Sequence, residues 1–374
     1  MKIVFFGLSI TSSWGNGHAT TYRSLAKGLH LLGHEVVFFE KDLEWYRDNR
    51  DCPAPDYCRV VVVEQWPTAS QLIRNELLDA DAAIVGSYLP EGAALIDLLL
   101  DSAVPVKAFY DIDTPITVAR LREQGGTSYL RAEQIHGFDI YFSFTGGPML
   151  DTLRREFDAR HAVPLYCSID PSHYRRRVGG RYACDMSYMG TYAPDRQPKI
   201  DEWLIAVAQN FPRKKFIVAG PQYPRSVRWP RNVQRIQHLN PRWHPHLYSS
   251  SRLTLNVTRR DMMRAGYSPS VRLFEAAACG AAIISDSWPG VEEFLEPGKE
   301  ILLATSQQDV YRSLECGDEE LRVIGQAAQV NVLERHSNRQ RALELEKEIS
   351  GAESKAAASA MAAKHLAPLA AAQV

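Results

Sequence analysis

Arg272 and Glu275 stand three residues apart in the run SPSVRLFEAAACGAAIISD (268–286). On a helix that spacing places a guanidinium and a carboxylate on one face. Punctuation predicts the helix: Ser268 as N-cap with Pro269 behind it, and Gly280 as the stop, giving about three turns that lead into the strand AAIISD. The N-terminus of such a helix offers free N–H groups and the positive end of a dipole, which suits a diphosphate. Arg272 suits phosphate oxygens, and Glu275 suits both hydroxyls of a ribose. The same two residues would equally form a structural ion pair on a surface helix. Context favours the anion site: Asn256, Arg259 and Arg260 end the preceding strand, and Ser268 and Ser270 open the helix.

A second candidate element is GTYAPDR (190–196). Here Gly190, Thr191 and Tyr192 follow a strand, and Arg196 can bring a guanidinium to phosphate. The plainer reading is a turn followed by a helix cap. Gly220, in GPQY, and the segment HLNPRWHPHLYSSS (238–251) are expected to complete a nucleotide pocket. His244 and His246, two apart, would suit a metal only on extended chain and are read as flanking a helix start; no metal ligand is assigned. Near the N-terminus, SITSSWGNGHATTYRSLAKGL (9–29) sets Gly15, Asn16 and Gly17 before His18. Gly7 lies too far from Gly15 for the dinucleotide fingerprint, which weakens a nicotinamide dehydrogenase reading. Asp111 and Asp113, in YDIDTPITVARL (110–121), fall at a predicted strand end, where either could orient a His18 base. Alternatively His18 donates to a backbone carbonyl, and Asp113-Thr114-Pro115 simply caps a helix.

The elements that must position these residues form two series. Buried strands are predicted at 2–7, 35–40, 59–63, 81–86, 105–111 and 139–144, with an amphipathic helix over 17–33. The pattern restarts with strands at 186–190, 215–220, 252–257 and 281–286 and a helix near 197–210. Apolar strands alternating with helices imply parallel sheets covered on both faces. The expected division is 1–168, 169–335, and a helix with an Ala-rich tail over 336–374.

Composition bounds the partners. The 374 residues suffice for two cores, and the net charge of −1 disfavours general nucleic-acid binding. Six scattered cysteines without a CxxC pair argue against structural zinc or a disulfide framework and suit the cytoplasm. MKIVFFGLSI reads as a strand and not a signal peptide, and no apolar run is long enough to span a membrane.

The run RLFEAAACGAAIIS resembles the donor-binding segment of GT-B glycosyltransferases, a pattern of two glutamates separated by seven residues. LNVTRRDMMRAGYSPSVRLFEAAACG and DMSYMGTYAPDRQPKI resemble the CgeB-like branch. The resemblance implies an α/β, GT-B architecture: two Rossmann-like domains facing each other across a cleft. It implies a nucleotide-sugar donor, UDP-linked by preference, and an unidentified acceptor, with no further cofactor. Glu275 corresponds to the second glutamate, on the donor ribose; the first falls on Tyr267, a departure that leaves the retaining mechanism unassigned. GNGHATTYRSLAKGLHLLGHEVVFF also resembles the opening of nucleotide-diphosphate glycosyltransferases in which the histidine is the base. Gly15, Asn16, Gly17, Thr114, Thr145 and Gly146 would then lie on the acceptor side. The DID triplet at 111–113 would serve a metal in a GT-A enzyme, a reading that the two-domain pattern opposes. An epimerase of the same fold and a non-catalytic nucleotide-sugar sensor are the rivals.

Overall fold

The chain forms two all-parallel sheets, each covered by helices, in a computed structural model that describes residues 1–177 and 179–370, the last helix's side chains as far as Lys355. The first sheet has seven strands in the order β3-β2-β1-β4-β5-β6-β7. Their ranges are β1 Lys2–Phe6, β2 Glu35–Lys41, β3 Arg59–Val63, β4 Ala82–Gly86, β5 Val106–Asp111, β6 Ile140–Ser143 and β7 Ala162–Pro164. The second sheet has six strands in the order β10-β9-β8-β11-β12-β13. These are β8 Cys184–Met189, β9 Phe216–Ala219, β10 Val233–Ile236, β11 Ser251–Asn256, β12 Ala282–Asp286 and β13 Leu302–Ala304. The apolar runs become the central strands because both faces of each are covered: β4 and β12 are buried along their whole length. The short edge strands β7, β10 and β13 carry too few apolar residues to show in the sequence.

Strand order dictates where a ligand can enter. In each sheet the order reverses once, beside β1 in the first and beside β8 in the second. Connections leave to opposite faces there, which opens a crevice at the strand C-termini. The glycine-bearing loop after β1, the turn after β4, the GTYAPDR loop after β8 and the segment after β11 all leave from these two points.

Two helices differ from their expected form. The helix of the Arg272–Glu275 motif runs Val271–Ala278, eight residues, with Ser270 and not Ser268 at its N-cap position. Ser268 is kept out because its hydroxyl is bound by Thr145 Oγ1 at 2.9 Å. The predicted helix near 197–210 is present but widens into a π-type turn at Asp201–Ile205.

The last helix, Asn338–Ala370, packs against the first helix, His18–Leu31, and against β5 and β6, burying Ala342, Leu345 and Ile349. The chain thus crosses between the sheets twice. The two crossings are tied by Ile169 N–H to His336 O at 3.1 Å and Asn338 N–H to Ile169 O at 2.8 Å.

Gly28 sets this helix contact. A Cβ there would sit 2.2 Å from the Asn338 carbonyl oxygen. Replacing glycine by alanine inside a helix ordinarily adds about 1 kcal/mol of stability. Here a backbone carbonyl must move, so Gly28→Ala is expected to lower stability by about 1–3 kcal/mol. Chemical denaturation giving equal or higher stability would contradict the packing.

Candidate active site

A cleft of about 250 Å³ opens between the two sheets, lined from the first by Gly15, Asn16, Gly17 and Thr20 and from the second by Gly190, Thr191, Arg196, Gly220, Ser270, Arg272 and Glu275. At its floor Glu275 is 4% exposed. Its Oε1 accepts from Thr20 Oγ1 at 3.1 Å and from the Tyr174 hydroxyl at 2.7 Å; its Oε2 accepts from the Tyr248 hydroxyl at 3.0 Å. Burial and the Glu275 charge push both tyrosines well above their ordinary pKa, so they remain O–H donors. Oε1 is filled by its two donors, and Oε2, with one donor, keeps acceptor capacity.

Arg272 does not pair with Glu275. It donates to the Met189 carbonyl and to Asn256 Oδ1, and its guanidinium lies 4.9 Å from the Tyr188 ring centre. Asn256 is a brace, and not a wall residue: Oδ1 also accepts from Ser270 Oγ at 2.8 Å, and its Nδ2 donates to Ser285 Oγ at 2.8 Å. Arg196 reaches back to the Thr191 carbonyl at 2.6 Å, while its buried Nε has no partner. Gly220 has φ +151°, and a Cβ there would lie 2.0 Å from the Gly190 carbonyl oxygen. Only glycine lets the β8 and β9 turns close under the cleft. Tyr192, in contact with Tyr223, lies beside this wall.

On the opposite side Asn16 shapes the glycine loop: its amide donates to the Ser9 and Ser12 carbonyls, and its Oδ1 accepts from the His18 N–H at 3.0 Å. His18 begins the first helix, its ring edge-on to Tyr88 at 5.4 Å, with an enclosed Nδ1 that has no partner. Burial lowers the His18 pKa, and the nearby Asp113 charge opposes that shift. The shift favours the neutral imidazole.

Asp113 pairs across the cleft with Arg259 at 3.8 Å, and among the described residues no hydrogen bond joins it to His18. The structure corrects the reading of Asp111 as a cleft residue. It is fully buried, bound by the Tyr141 hydroxyl at 2.7 Å and Thr117 Oγ1 at 2.9 Å. Thr114 is likewise internal, bonded to Ser143. Thr145 is spent on Ser268, and the Gly146 N–H donates to the Tyr267 carbonyl at 2.9 Å, so both tie the two halves together instead of lining the cleft.

Three positioning residues escape the sequence. Glu40, 1% exposed at the end of β2, accepts from Ile10 N–H at 2.7 Å and Thr11 N–H at 3.1 Å and so fixes the loop after β1. Arg235 holds the Val218 and Gly220 carbonyls at 2.7 and 2.9 Å and lies over the Tyr223 and Trp229 rings. Asp286 anchors Thr258 at the start of the segment after β11. Their partners are far off in sequence, so no local motif marks them.

A family model described as glycosyl transferase-like matches residues 196–347. No curated protein matches the chain. Among solved structures, sucrose-phosphate synthase from Thermosynechococcus elongatus superposes with TM-score 0.66 at 11% identity, over 93% of this chain and 98% of that one. Anabaena Alr3699/HepE, solved with UDP and glucose, gives TM-score 0.64 at 13% identity, over 94% and 100%. An alpha-glucosyltransferase solved with UDP-glucose and DNA gives 0.65 at 13%, over 93% and 99%. The chain therefore has the GT-B glycosyltransferase fold.

Burial raises the Asp111 pKa from the ordinary aspartate range to about 6, against the lowering effect of its Tyr141 and Thr117 hydrogen bonds. Between about pH 4 and 6 the folded state therefore holds a proton that the unfolded state has lost, so this group's contribution to stability falls as pH rises through that window. Asp111→Asn is expected to be more stable relative to wild type at pH 7 than at pH 4. Denaturation at both values that shows a constant difference would refute the assignment.

Proposed function

We propose that this protein transfers a sugar from a nucleoside-diphosphate sugar, UDP-linked by preference, to an acceptor hydroxyl. The observation that carries the reading is the pairing of two features in one cleft. Glu275 is a buried carboxylate whose Oε2 keeps acceptor capacity, and it lines one cavity with Arg196 and Arg272. A ribose needs a carboxylate acceptor for its hydroxyls, and a diphosphate needs cations and N–H donors. The cleft supplies both in that order, with the Val271–Ala278 helix opening beside Arg272. The solved neighbours that hold UDP or UDP-glucose support the choice of base.

The chemistry follows from where charge develops. As the acceptor oxygen bonds to the anomeric carbon, the bond from that carbon to the diphosphate breaks, and the nucleoside diphosphate leaves with the electron pair. Arg196 and Arg272 stabilise the leaving anion, so no metal is assigned and no cofactor beyond the donor. His18, which follows the cleft's Gly17 and whose pKa is lowered by burial, takes the acceptor proton. Asp113 stabilises the resulting imidazolium, and Arg259 holds Asp113 at the cleft. Gly15, Asn16 and Gly17 border the acceptor. The runs at 185–200 and 255–280 place the chain in the CgeB-like branch on this reading. A cytoplasmic setting fits the six free cysteines; no helix among the described residues is long and apolar enough to cross a membrane.

Two variants separate binding from chemistry. Glu275→Ala is expected to weaken UDP binding by about 1–3 kcal/mol, the cost of losing charge-assisted hydrogen bonds. Calorimetry on a folded variant with unchanged affinity would remove Glu275 from the donor site. His18→Ala is expected to keep UDP affinity and lose about 10²–10⁴-fold in turnover, measured by UDP release with the acceptor or with water. Near-wild-type turnover would leave His18 without a role as base, and NMR of the product linkage then reports which face of the sugar reacts.

A further inference from the structure

A second cavity, of about 330 Å³, lies where the first helix, the 51–57 loop, the 170–174 crossing and residues 240–242 meet. Thr20 lines both this cavity and the donor cleft, and Tyr174 lines this cavity alone, with its hydroxyl bonded to Glu275 at the floor of the cleft. These are the two residues that donate to Oε1 of Glu275. An occupant of the second cavity therefore touches the back of the residues that hold the ribose ligand.

The lining states what such an occupant must be. Its four inner charges are already matched: Arg23 grips Asp51 at 2.8 and 3.0 Å, and Lys27 meets Asp170 at 2.7 Å. A charge placed among them would be desolvated without a counter-ion, which is costly. The remaining wall is largely apolar and aromatic, from the rings of Tyr57, His173 and Tyr174 with Pro241, the His173 ring standing edge-on to Tyr174 at 4.7 Å. Burial lowers the His173 pKa, and its Nε2 is spent on the Pro241 carbonyl at 3.0 Å, so this ring offers a neutral face. Arg242 stands at the mouth, exposed, with no carboxylate partner among the described residues.

We propose that this cavity is a second ligand site for an uncharged aromatic ring system bearing one anionic group. The ring packs among Tyr57, His173 and Tyr174 in edge-to-face contacts, the anion meets Arg242, and occupancy adjusts the donor cleft through Thr20, shared by both cavities, and through the Tyr174 bond to Glu275. The adjustment rests on Glu275 being the nucleotide ligand; the binding does not.

The probe is 8-anilinonaphthalene-1-sulfonate, which joins aromatic rings to one sulfonate, titrated by fluorescence into the full chain. One saturable site is expected. Arg242→Glu, an exposed change that leaves both cavities intact, should weaken it about tenfold, and Cys52→Trp, which fills the cavity, should abolish it. UDP should not displace the probe. Instead each ligand should shift the other's Kd by the same factor, as linkage requires. Wild-type probe binding in both variants, or competitive displacement by UDP, would overturn the site. Should UDP fail to bind at all, the donor reading fails alone, because the two variants still decide the cavity. Should Cys52→Trp misfold, Arg242→Glu decides it. Two ligands that bind without shifting one another would remove the coupling and with it the proposal as stated.

Discussion

The arrangement of the molecule depends on one buried carboxylate. Glu275 would be costly to bury alone, because an ionised group removed from water must recover its hydration from fixed donors. Its three donors come from three places: Thr20 on the first helix, Tyr174 on the crossing between sheets, and Tyr248 on the helix His244–Ser250. Satisfying the charge therefore requires both halves and the crossing to be in place together. The lesser ties follow the same line around the cleft. Thr145 meets Ser268, Gly146 meets Tyr267, and the Trp14 ring meets His238 at 4.6 Å. The residue at the floor of the cleft is also the one whose bonds join the two halves.

This double role explains why polar wall residues are braced from behind. Arg272 is aimed by Asn256 and the Met189 carbonyl, the β1 loop is tied down by Glu40, and the Gly220 turn is held by Arg235. Each brace is a buried polar group spent on backbone or on a neighbouring side chain. Such networks fix one geometry when every member is satisfied.

What the sequence discloses follows from the range of the interaction that determines each feature. The central strands were legible because a strand buried on both faces must be apolar throughout, as in KIVFF and AAIIS. The Arg272–Glu275 spacing and the glycine turns were legible because they depend on a few consecutive residues. Ser268 was misread for the opposite reason. Ser-Pro is a good local helix start, but the Thr145 hydroxyl, 123 residues away, takes the serine and moves the start to Val271. Asp111 and Asp113 look equivalent in DID, yet β5 ends at Asp111, whose carboxylate turns inward to Tyr141, while Asp113 lies past the strand, at the N-cap of the helix Thr114–Gln124, and reaches Arg259. Tyr88 carried no signal at all. Its φ of +63° is a departure that local sequence does not call for, and its ring is set against His18 only by the fold.

Buried groups left unsatisfied complete the argument. In a folded protein nearly every enclosed polar atom finds a partner, and the exceptions need a reason. Some here lie in apolar cores, such as the indole N–H groups of Trp203 and Trp288. One other, Arg196 Nε, belongs to a residue of the cleft wall, and His18 Nδ1 belongs to the residue that follows the cleft's Gly17. The protein satisfies its structural charges internally, as with Glu275, Glu40 and Asp51. At Arg196, in the wall of the cleft, it leaves a guanidinium N–H unpaired, a donor of the kind that an anion can match.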